Sequence, residues 1–307
     1  MKTVIFGCGT IANRIAKGFE NVEGNELVGF GSTNTDRAKE YTTKFNVNEY
    51  GTYDDFLKRD DIDGVYIATY NLNHYKLIEK CILNHKHVMC EKPMLSSIKE
   101  NNELFDLAAK NNVLLMEAMK AVFLPINIQV KQMVVDKVIG EVEHIEASFV
   151  RGPKIEETHW IYDLNTGGAL KDVGSYCAAI MNFMLDRKPT VTKLIKNNTE
   201  TLADTNAEVL IDYDGITGHL LVSNEFSGDS ALRIYGTKGY IVIPEFWKAS
   251  KGYYVVDNLR QEIQVEMKND FYYEIAHFTY LVNNKILESP IMSRQFSNNI
   301  LQITNYQ

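Results

Sequence analysis

Short apolar runs alternate with amphipathic stretches through the first 120 residues of the chain. Runs of this kind, bounded by turn residues, predict buried strands, and apolar positions three and four residues apart predict helices. Strands and helices that alternate at this spacing indicate an α/β domain built on a doubly wound parallel sheet. The predicted strands, separated by helices, are 4–6, 26–31, 48–50, 64–69, 87–91 and 113–117.

Beyond Met119 the alternation gives way to a helix over 122–138, entered through Pro125, and then to a succession of strands. Turns such as Asp214-Gly215 leave too little chain for a parallel crossover, which needs a dozen residues or more. We therefore predict a second α/β domain with a large, mainly antiparallel open sheet, one face of which is free to pair with a second subunit. The division falls between 1–120 and 121–307, and a helix over about 271–285 closes the fold. The predicted strands are 142–150, 191–196, 207–213, 218–225, 231–235, 240–244 and 253–257.

Composition removes several classes of protein from consideration. A formal net charge of −8 over 307 residues gives no basic surface for nucleic acid, and no apolar run has the length of a membrane span. The N-terminus enters a strand at once, without a signal region. Cys8, Cys81, Cys90 and Cys177 have neither metal-site spacing nor the pattern of a disulfide framework. We expect a cytoplasmic protein with no metal site.

The run Gly7-Cys8-Gly9-Thr10-Ile11-Ala12 follows the first strand directly and opens a helix. This is the context that a dinucleotide-binding G-x-G-x-x-A motif requires. Gly7 allows the tight turn, Gly9 leaves room for the pyrophosphate, and Ala12 lets the helix pack on the strand. The phosphates would lie at the helix N-terminus, beside Thr10 and Ile11. The alternative is a plain strand–turn–helix connection.

The end of the second strand bears on the choice of cofactor. An NAD site usually has an acidic residue there, whereas this chain has Ser32, Thr33 and Asn34, with Asp36 and Arg37 opening the next helix. Hydroxyls and an arginine suit the 2′-phosphate of NADP. We expect Ser32, Thr33 and Arg37 to bind NADP; NAD stays open because Asp36 could serve a ribose. Alternatively, Ser32 to Asp36 form only a turn and a helix cap.

Glu91-Lys92-Pro93 lies at the carboxyl end of a predicted parallel strand, where open α/β sheets bind their ligands. Pro93 fixes φ and stiffens the turn that carries Lys92. The alternative is an ordinary surface lysine in a β–α turn. The neighbouring strand end contributes Thr69, Asn71 and His74, which we predict to line the cofactor together with Glu91 and Lys92.

The stretch 167–185 is the informative part of the second half. Ala169 to Leu185 has helical periodicity, and Asp172 and Tyr176, four residues apart, project from one face. Gly174 between them is a poor helix former, which indicates close approach to another group. Asp172 as a dipole partner and Tyr176 as a packed aromatic are the alternatives. Upstream, His159-Trp160 could cap a substrate pocket or pack in a loop.

Together these segments resemble the glucose–fructose oxidoreductase/inositol dehydrogenase family, also called Gfo/Idh/MocA. The resemblance rests on Gly7 to Ala12, Glu91-Lys92-Pro93, Glu117-Ala118-Met119 and the run Gly167-Gly168-Ala169-Leu170-Lys171-Asp172-Val173-Gly174-Ser175-Tyr176. It implies an N-terminal Rossmann domain that binds NAD(P), and a C-terminal domain that binds substrate and forms a homodimer or homotetramer through its sheet. It implies oxidation or reduction of a hydroxyl/carbonyl pair, usually on a sugar or polyol, with Lys92 and Asp172 at the substrate.

Tyrosine at position 176, where many members have histidine, is similar to the branch that contains dimeric dihydrodiol dehydrogenase. That branch commonly has Trp-Thr-Arg after Glu-Ala-Met, whereas this chain has Lys120-Ala121-Val122. It also has two glycines after Thr166 where three are common. Both departures bear on the substrate more than on the reaction class.

As a mechanism, we expect Tyr176 to act as the general acid/base on the substrate oxygen. A free phenol loses its proton only near pH 10, and a nearby Lys92 ammonium would favour the phenolate. Asp172 would bind a substrate hydroxyl or hold Lys92, and Glu91 would orient the turn. The alternatives are a dihydrodiol-type dehydrogenase acting on a non-sugar diol, and a non-catalytic NAD(P)-binding sensor, which would need none of Lys92, Asp172 and Tyr176.

Overall fold

The computed structural model describes residues 1–152, 160–164, 166–197 and 203–306. They form two compact units. The first comprises Met1–Lys120 and Lys268–Ser297, and the second comprises Ala121–Met267 and the residues from Asn298 onward. The sequence-based division places 268–297 with the second domain, whereas this segment packs with the first unit; the assignment of roles to the two domains stays a prediction.

Most of the secondary-structure elements follow the predicted order with small shifts at their ends. They are β1 Lys2–Phe6, α1 Thr10–Gly18, β2 Glu26–Gly31, α2 Thr35–Phe45, β3 Glu49–Gly51, α3 Tyr53–Leu57, β4 Gly64–Ile67, α4 His74–Leu83, β5 His87–Glu91, α5 Ile98–Lys110, β6 Leu115–Ala118, α6 Pro125–Val135, β7 Val142–Val150, α7 Ala169–Asp172, α8 Gly174–Leu185, β8 Thr190–Asn197, β9 Asn206–Tyr213, β10 Ile216–Ser223, β11 Ala231–Gly236, β12 Gly239–Pro244, β13 Lys251–Val256, β14 Leu259–Gln264, α9 Tyr272–Asn283 and α10 Arg294–Thr304.

The first unit is built on a parallel sheet of six strands in the order β3-β2-β1-β4-β5-β6. Its central strand β4 is buried along its whole length, as expected for a strand covered on both faces. The carboxyl ends of β1, β2, β4 and β5 therefore open at one edge. This arrangement confirms the predicted doubly wound sheet.

The second unit is built on an eight-stranded sheet, within the described residues, in the order β14-β13-β12-β11-β7-β10-β9-β8. Every neighbouring pair is antiparallel except β7 and β10, which run parallel. Helix α8 covers one face, and a Cβ at Gly218 of β10 would lie 2.9 Å from the Met181 side chain of that helix. The mainly antiparallel open sheet is thereby confirmed.

Several predicted elements differ from those observed. The single helix expected over 169–185 is two helices, α7 and α8, separated at Val173. The helix expected over 122–138 is a 3-10 turn, Lys120–Phe123, followed by α6, because Pro125 occupies the first helical position, where its missing N–H costs nothing.

Two elements, β14 and α10, were not predicted. Strand β14 exposes all but one of its residues, so it carries little of the apolar pattern that identifies strands. No helix among the described residues is both long and apolar enough to cross a membrane. The four cysteines are buried free thiols.

Candidate active site

The turn between β1 and α1 has the geometry of a phosphate cradle. Gly7 has φ +107°, and a Cβ there would lie 2.5 Å from the carbonyl oxygen of Ala68, so the turn requires glycine. A Cβ at Gly9 would enter open space, with none of the described residues within 4 Å. No described side chain caps the helix that starts at Thr10. Free N–H groups facing open space fit the pyrophosphate of a dinucleotide.

The end of β2 combines a turn with exposed polar groups. Ser32 is buried, and its Oγ accepts the N–H of Asn34 at 3.1 Å. Asn34 caps α2 by accepting the N–H of Arg37 at 3.1 Å, so this segment does form the turn and cap that the sequence allowed. Thr33 and Arg37 remain exposed. Burial raises the pKa of Cys8 in the glycine turn to about 11, and the positive charge of Arg37 opposes this shift.

Beyond β4, Thr69 and Asn71 are half-buried at the start of a 3-10 turn, and His74 begins α4. The His74 ring is 1% exposed. Its Nδ1 contacts the carbonyl oxygens of Pro93 and Met94, and its Nε2 contacts that of Thr69 at 3.1 Å. His74 therefore ties the turn after β4 to the turn after β5.

The Glu91-Lys92-Pro93 turn lies over a buried polar cluster. Glu91 is 8% exposed, whereas Lys92 is half-buried. The hydroxyl of Tyr66 donates to Glu91 Oε1 at 2.8 Å, and it also lies 3.2 Å from Glu274 Oε1. Burial raises the pKa of Glu91, while the Tyr66 hydrogen bond and the charges of Lys92 and Lys120 oppose the shift. The buried Glu91 side chain thus anchors the turn that carries Lys92 to the interior of the first unit.

Lys120 is the first residue of the segment that departs from the family pattern, and it is 3% exposed. It forms an ion pair with Asp270, which also pairs with Arg14 at 2.7 Å. Burial lowers the pKa of Lys120, and Asp270 opposes that change. The ammonium also lies over the Phe271 ring, 5.1 Å from its centroid. Lys120 is therefore a buried cation, and its charge favours the ionised form of Glu91.

Glu117 fixes the same turn from β6. It is 5% exposed; its Oε1 accepts the N–H of Met94 at 3.1 Å, and its Oε2 accepts the hydroxyl of Ser297 at 2.7 Å. Burial raises its pKa, and these two hydrogen bonds act in the opposite direction. The Glu117 carboxylate therefore fixes the backbone at Met94, two residues beyond Lys92.

In the second unit, Asp172 ends α7 and is 8% exposed. Arg151 Nη2 donates to Asp172 Oδ2 at 2.6 Å and to Asn224 Oδ1 at 3.0 Å. A charge-assisted bond of this length orients the carboxylate. Asp172 Oδ2 is therefore paired with the guanidinium of Arg151, which belongs to the same unit.

Tyr176 is half-buried on α8, one turn beyond Asp172. Its ring lies 6.1 Å from the ring of Phe149, which stacks on Trp247 at 3.6 Å. Phe149, Arg151 and Trp247 line a cavity of about 750 Å³. The sequence predicted that another group packs closely against Gly174, and that group is the Leu170 side chain. Its Cδ1 would lie 2.9 Å from a Cβ at position 174.

Trp160 lies in a 3-10 turn, Trp160–Tyr162, and is 36% exposed. Gly167 packs so closely that a Cβ would lie 2.1 Å from the carbonyl oxygen of Ile161. A Cβ at Gly168, which has φ +110°, would lie 2.6 Å from Asp204 Oδ1, so both glycines are tightly packed. His159 falls outside the described residues.

Within each unit the structure brings the predicted residues together. The glycine turn, Arg37, His74 and Glu91-Lys92 share the carboxyl edge of the first sheet, and Asp172 and Tyr176 share consecutive helices of the second unit. The meeting of Lys92 with Tyr176, like every assigned role, stays a prediction. Sequence analysis missed the supporting residues Tyr66, Glu117, Lys120, Arg151, Asp270 and Glu274, all but two of which are charged and nearly buried.

Comparison with known proteins gives two family matches. Residues 1–119 match an "Oxidoreductase family, NAD-binding Rossmann fold", and residues 127–242 match the "GFO/IDH/MocA C-terminal domain".

Curated relatives that cover most of the chain include an inositol dehydrogenase and a dihydrodiol dehydrogenase. The scyllo-inositol 2-dehydrogenase (NADP(+)) IolU of Bacillus subtilis (strain 168) is 29% identical over 305 residues, 94% of this chain and 90% of that protein. A trans-1,2-dihydrobenzene-1,2-diol dehydrogenase of Xenopus laevis is 28% identical over 281 residues, 88% and 84% respectively.

Solved structures share the fold. An aldose-aldose oxidoreductase from Caulobacter crescentus, complexed with glycerol, matches with TM-score 0.91 and 19% identity over 99% of this chain and 95% of that one. A 3-ketoreductase from Actinomadura kijaniata, in complex with TDP-benzene and NADP, matches with TM-score 0.87 and 24% identity over 99% and 96%. Variants of that reductase with one lysine or one tyrosine replaced have also been solved.

Proposed function

The chain belongs to the Gfo/Idh/MocA family of oxidoreductases, and on that premise we propose that it transfers a hydride between NADP and a hydroxyl/carbonyl pair of a sugar, polyol or related cyclic alcohol. The observation that carries the proposal is the open cradle at Gly9, on the same sheet edge as the Glu91-Lys92 turn. A dinucleotide bound along this edge extends from the glycine turn towards the other strand ends. Gly7, Gly9 and Ala12 would hold its pyrophosphate, and Lys92, which follows β5 on the same edge, would be available to the substrate.

Bound NADP supplies the hydride chemistry, and the chain's own residues position the substrate and move the proton. In the oxidising direction, Tyr176 Oη would take the proton of the substrate hydroxyl, and in the reducing direction it would return that proton to the substrate oxygen. Lys92 favours the phenolate that accepts this proton. Asp172, oriented by Arg151, would hold a neighbouring substrate hydroxyl, and Trp160 would cap the substrate.

Two observations favour this pairing over a non-catalytic sensor. The substituted lysine and tyrosine of the Actinomadura reductase are separated by as many residues as Lys92 and Tyr176. A sensor also has no need of a buried carboxylate fixed by an arginine, as Asp172 is by Arg151. Both point to substrate chemistry.

NADP is the preferred cofactor of the proposal. Thr33 and Arg37 are exposed at the end of β2, and a guanidinium binds phosphate bidentately. The inositol dehydrogenase relative is named for NADP(+). Ser32, bonded within its own turn, positions the segment.

A second subunit would cover the sheet face opposite α8. That face exposes apolar side chains, among them Ile195, Leu210 and Tyr235. We propose a homodimer or homotetramer formed through this face, in a cytoplasmic protein.

The test begins with fluorescence titration of NADPH and NADH, followed by turnover assays on inositols, aldoses and cyclic diols. We expect tighter binding of NADPH, and turnover that Tyr176→Phe lowers without changing NADPH affinity. Arg37→Ala should reduce the preference for NADPH over NADH by about tenfold, the loss of one phosphate contact. Tight cofactor binding without turnover on any substrate would overturn the proposal in favour of a sensor.

The second candidate is a dihydrodiol-type dehydrogenase. The 28% identity with a trans-1,2-dihydrobenzene-1,2-diol dehydrogenase, over most of both chains, favours it. Turnover of cyclic non-sugar diols in preference to polyols would select this candidate.

A further inference from the structure

One phenol hydroxyl lies between two buried carboxyl groups in the first unit. Tyr66 Oη is 2.8 Å from Glu91 Oε1 and 3.2 Å from Glu274 Oε1, and the three residues are 0%, 8% and 1% exposed. A phenol has one hydrogen to donate and an oxygen that accepts. It therefore satisfies both carboxyls only if one of them is protonated and donates to the phenol oxygen.

The surroundings decide which carboxyl holds the proton. Lys92 and Lys120 both favour the ionised form of Glu91. Glu274 also faces Lys120, but Glu91 and Asp270 act on it with the opposite sign. Burial and the Glu91 charge together raise the pKa of Glu274 well above its usual range.

The second oxygen of Glu274 gives independent support. Its Oε2 is buried and has no hydrogen-bond partner among the described residues. An ionised oxygen left unpaired in the interior is far more costly than the carbonyl oxygen of a neutral acid. The geometry therefore agrees with a proton on Glu274.

We propose that Glu274 is a positioning residue of the active site, a neutral carboxylic acid that donates to Tyr66, which in turn donates to ionised Glu91. This chain of hydrogen bonds fixes Glu91 and, through the shared turn, the backbone of Lys92. Glu274 lies on α9, which is far along the sequence from the strand ends that it supports. The catalytic part of the inference rests on the proposed function, whereas the protonation of Glu274 does not.

The protonation state is tested by infrared spectroscopy of protein labelled with ¹³C at glutamate carboxyl groups, at neutral pH and without substrate. Wild type should show the C=O stretch of a neutral acid, and Glu274→Gln should lose it. Glu20→Gln, which removes an exposed carboxyl of the same unit, should lose only carboxylate absorption. An acid band that survives Glu274→Gln and disappears in Glu91→Gln would overturn the assignment.

The positioning role is tested by the pH profile of kcat/KM. Glutamine has the shape of the neutral acid and can still donate to Tyr66, so Glu274→Gln should keep kcat within about twofold, with an unshifted profile. Glu274→Leu leaves the phenol oxygen without a donor and should lower kcat about tenfold, the worth of one buried hydrogen bond. A displaced profile in Glu274→Gln, or a folded Glu274→Leu protein with unchanged kcat, would contradict the role.

The two tests fail in distinguishable ways. Absence of turnover in the wild type would remove the proposed function and leave the infrared result to decide the protonation of Glu274. Turnover with no acid band would retain the function and overturn the inference.

Discussion

The two units present their candidate site residues in different ways. In the first, they stand in the turns and the first helical residues that follow parallel strands, and buried side chains such as Glu91 and Glu117 anchor the turn that carries Lys92. In the second, Asp172 and Tyr176 stand on helices, and Arg151 orients the carboxylate from the end of a strand. A glycine turn tolerates few residues because the backbone itself forms the site, whereas the side chains of either unit depend on distant partners for their orientation.

The sharpest test of the backbone-built site compares its two glycines. Gly9→Val places a branched side chain in the open cradle and should weaken NADPH binding by at least about a hundredfold, or ~2.7 kcal/mol, with little change in stability. Gly7→Ala meets the backbone of Ala68 in a left-handed conformation and should lower the free energy of unfolding by about 2–4 kcal/mol. NADPH titration and urea unfolding measure the two effects.

The opposite result is equally informative. If Gly9→Val destabilises the protein while its folded fraction binds NADPH normally, the space beside position 9 is not part of the NADPH-binding site. The same pair of assays gives both answers.

The second prediction tests the support beneath that site through the pH dependence of stability. In the unfolded chain Glu274 titrates near pH 4.3, whereas the folded protein retains its proton well above that pH. Because the folded state binds this proton more tightly than the unfolded state, the proton stabilises the fold fully below pH 4.3. This stabilisation is lost as the pH rises through the folded-state pKa of Glu274. Glu274→Gln lacks this dependence, so relative to wild type it should gain up to about 1.4 kcal/mol per pH unit while the folded state holds the proton.

Urea unfolding of both proteins at pH 6 and pH 8 measures this gain. A difference between the two proteins that is the same at both pH values would show that folded Glu274 carries no extra proton over this range. Glu20→Gln serves as the exposed control.

The third prediction concerns the side-chain-built site. Arg151→Met leaves the buried Asp172 without its cation, but the arginine is 40% exposed, so solvent reduces the loss. We expect the free energy of unfolding to fall by about 1 kcal/mol, and the KM for substrate to rise as Asp172 loses its orientation. Asp172→Asn/Arg151→Met should recover most of the stability, since no buried charge is left unpaired. An unchanged KM in a folded Arg151→Met protein would contradict the orienting role.

The difference between local turns and long-range side-chain contacts also explains which features could be predicted from the sequence. Gly7, Gly9 and Asn34 act through local turn chemistry, so their neighbours along the chain suffice to predict the turns and the parallel sheet. Glu274, Asp270 and Arg151 act on residues far away in sequence, and a charged residue in a helix or a loop looks like a solvated one until its partners are known. Strand β14 could not be predicted because it pairs through its backbone while all but one of its side chains face water.

The central claim is that Lys92 and Tyr176 act together on one substrate oxygen. It is tested most directly by the single-turnover rate of hydride transfer, with saturating cofactor, in wild type, Lys92→Ala, Tyr176→Phe and the double variant. The account predicts that each single change slows transfer by about 10²–10⁴-fold. The double variant should be slower than the worse single by only a few-fold, because groups that act together are not additive. Effects that multiply in the double variant, or a single variant with a near-normal rate, would contradict the claim.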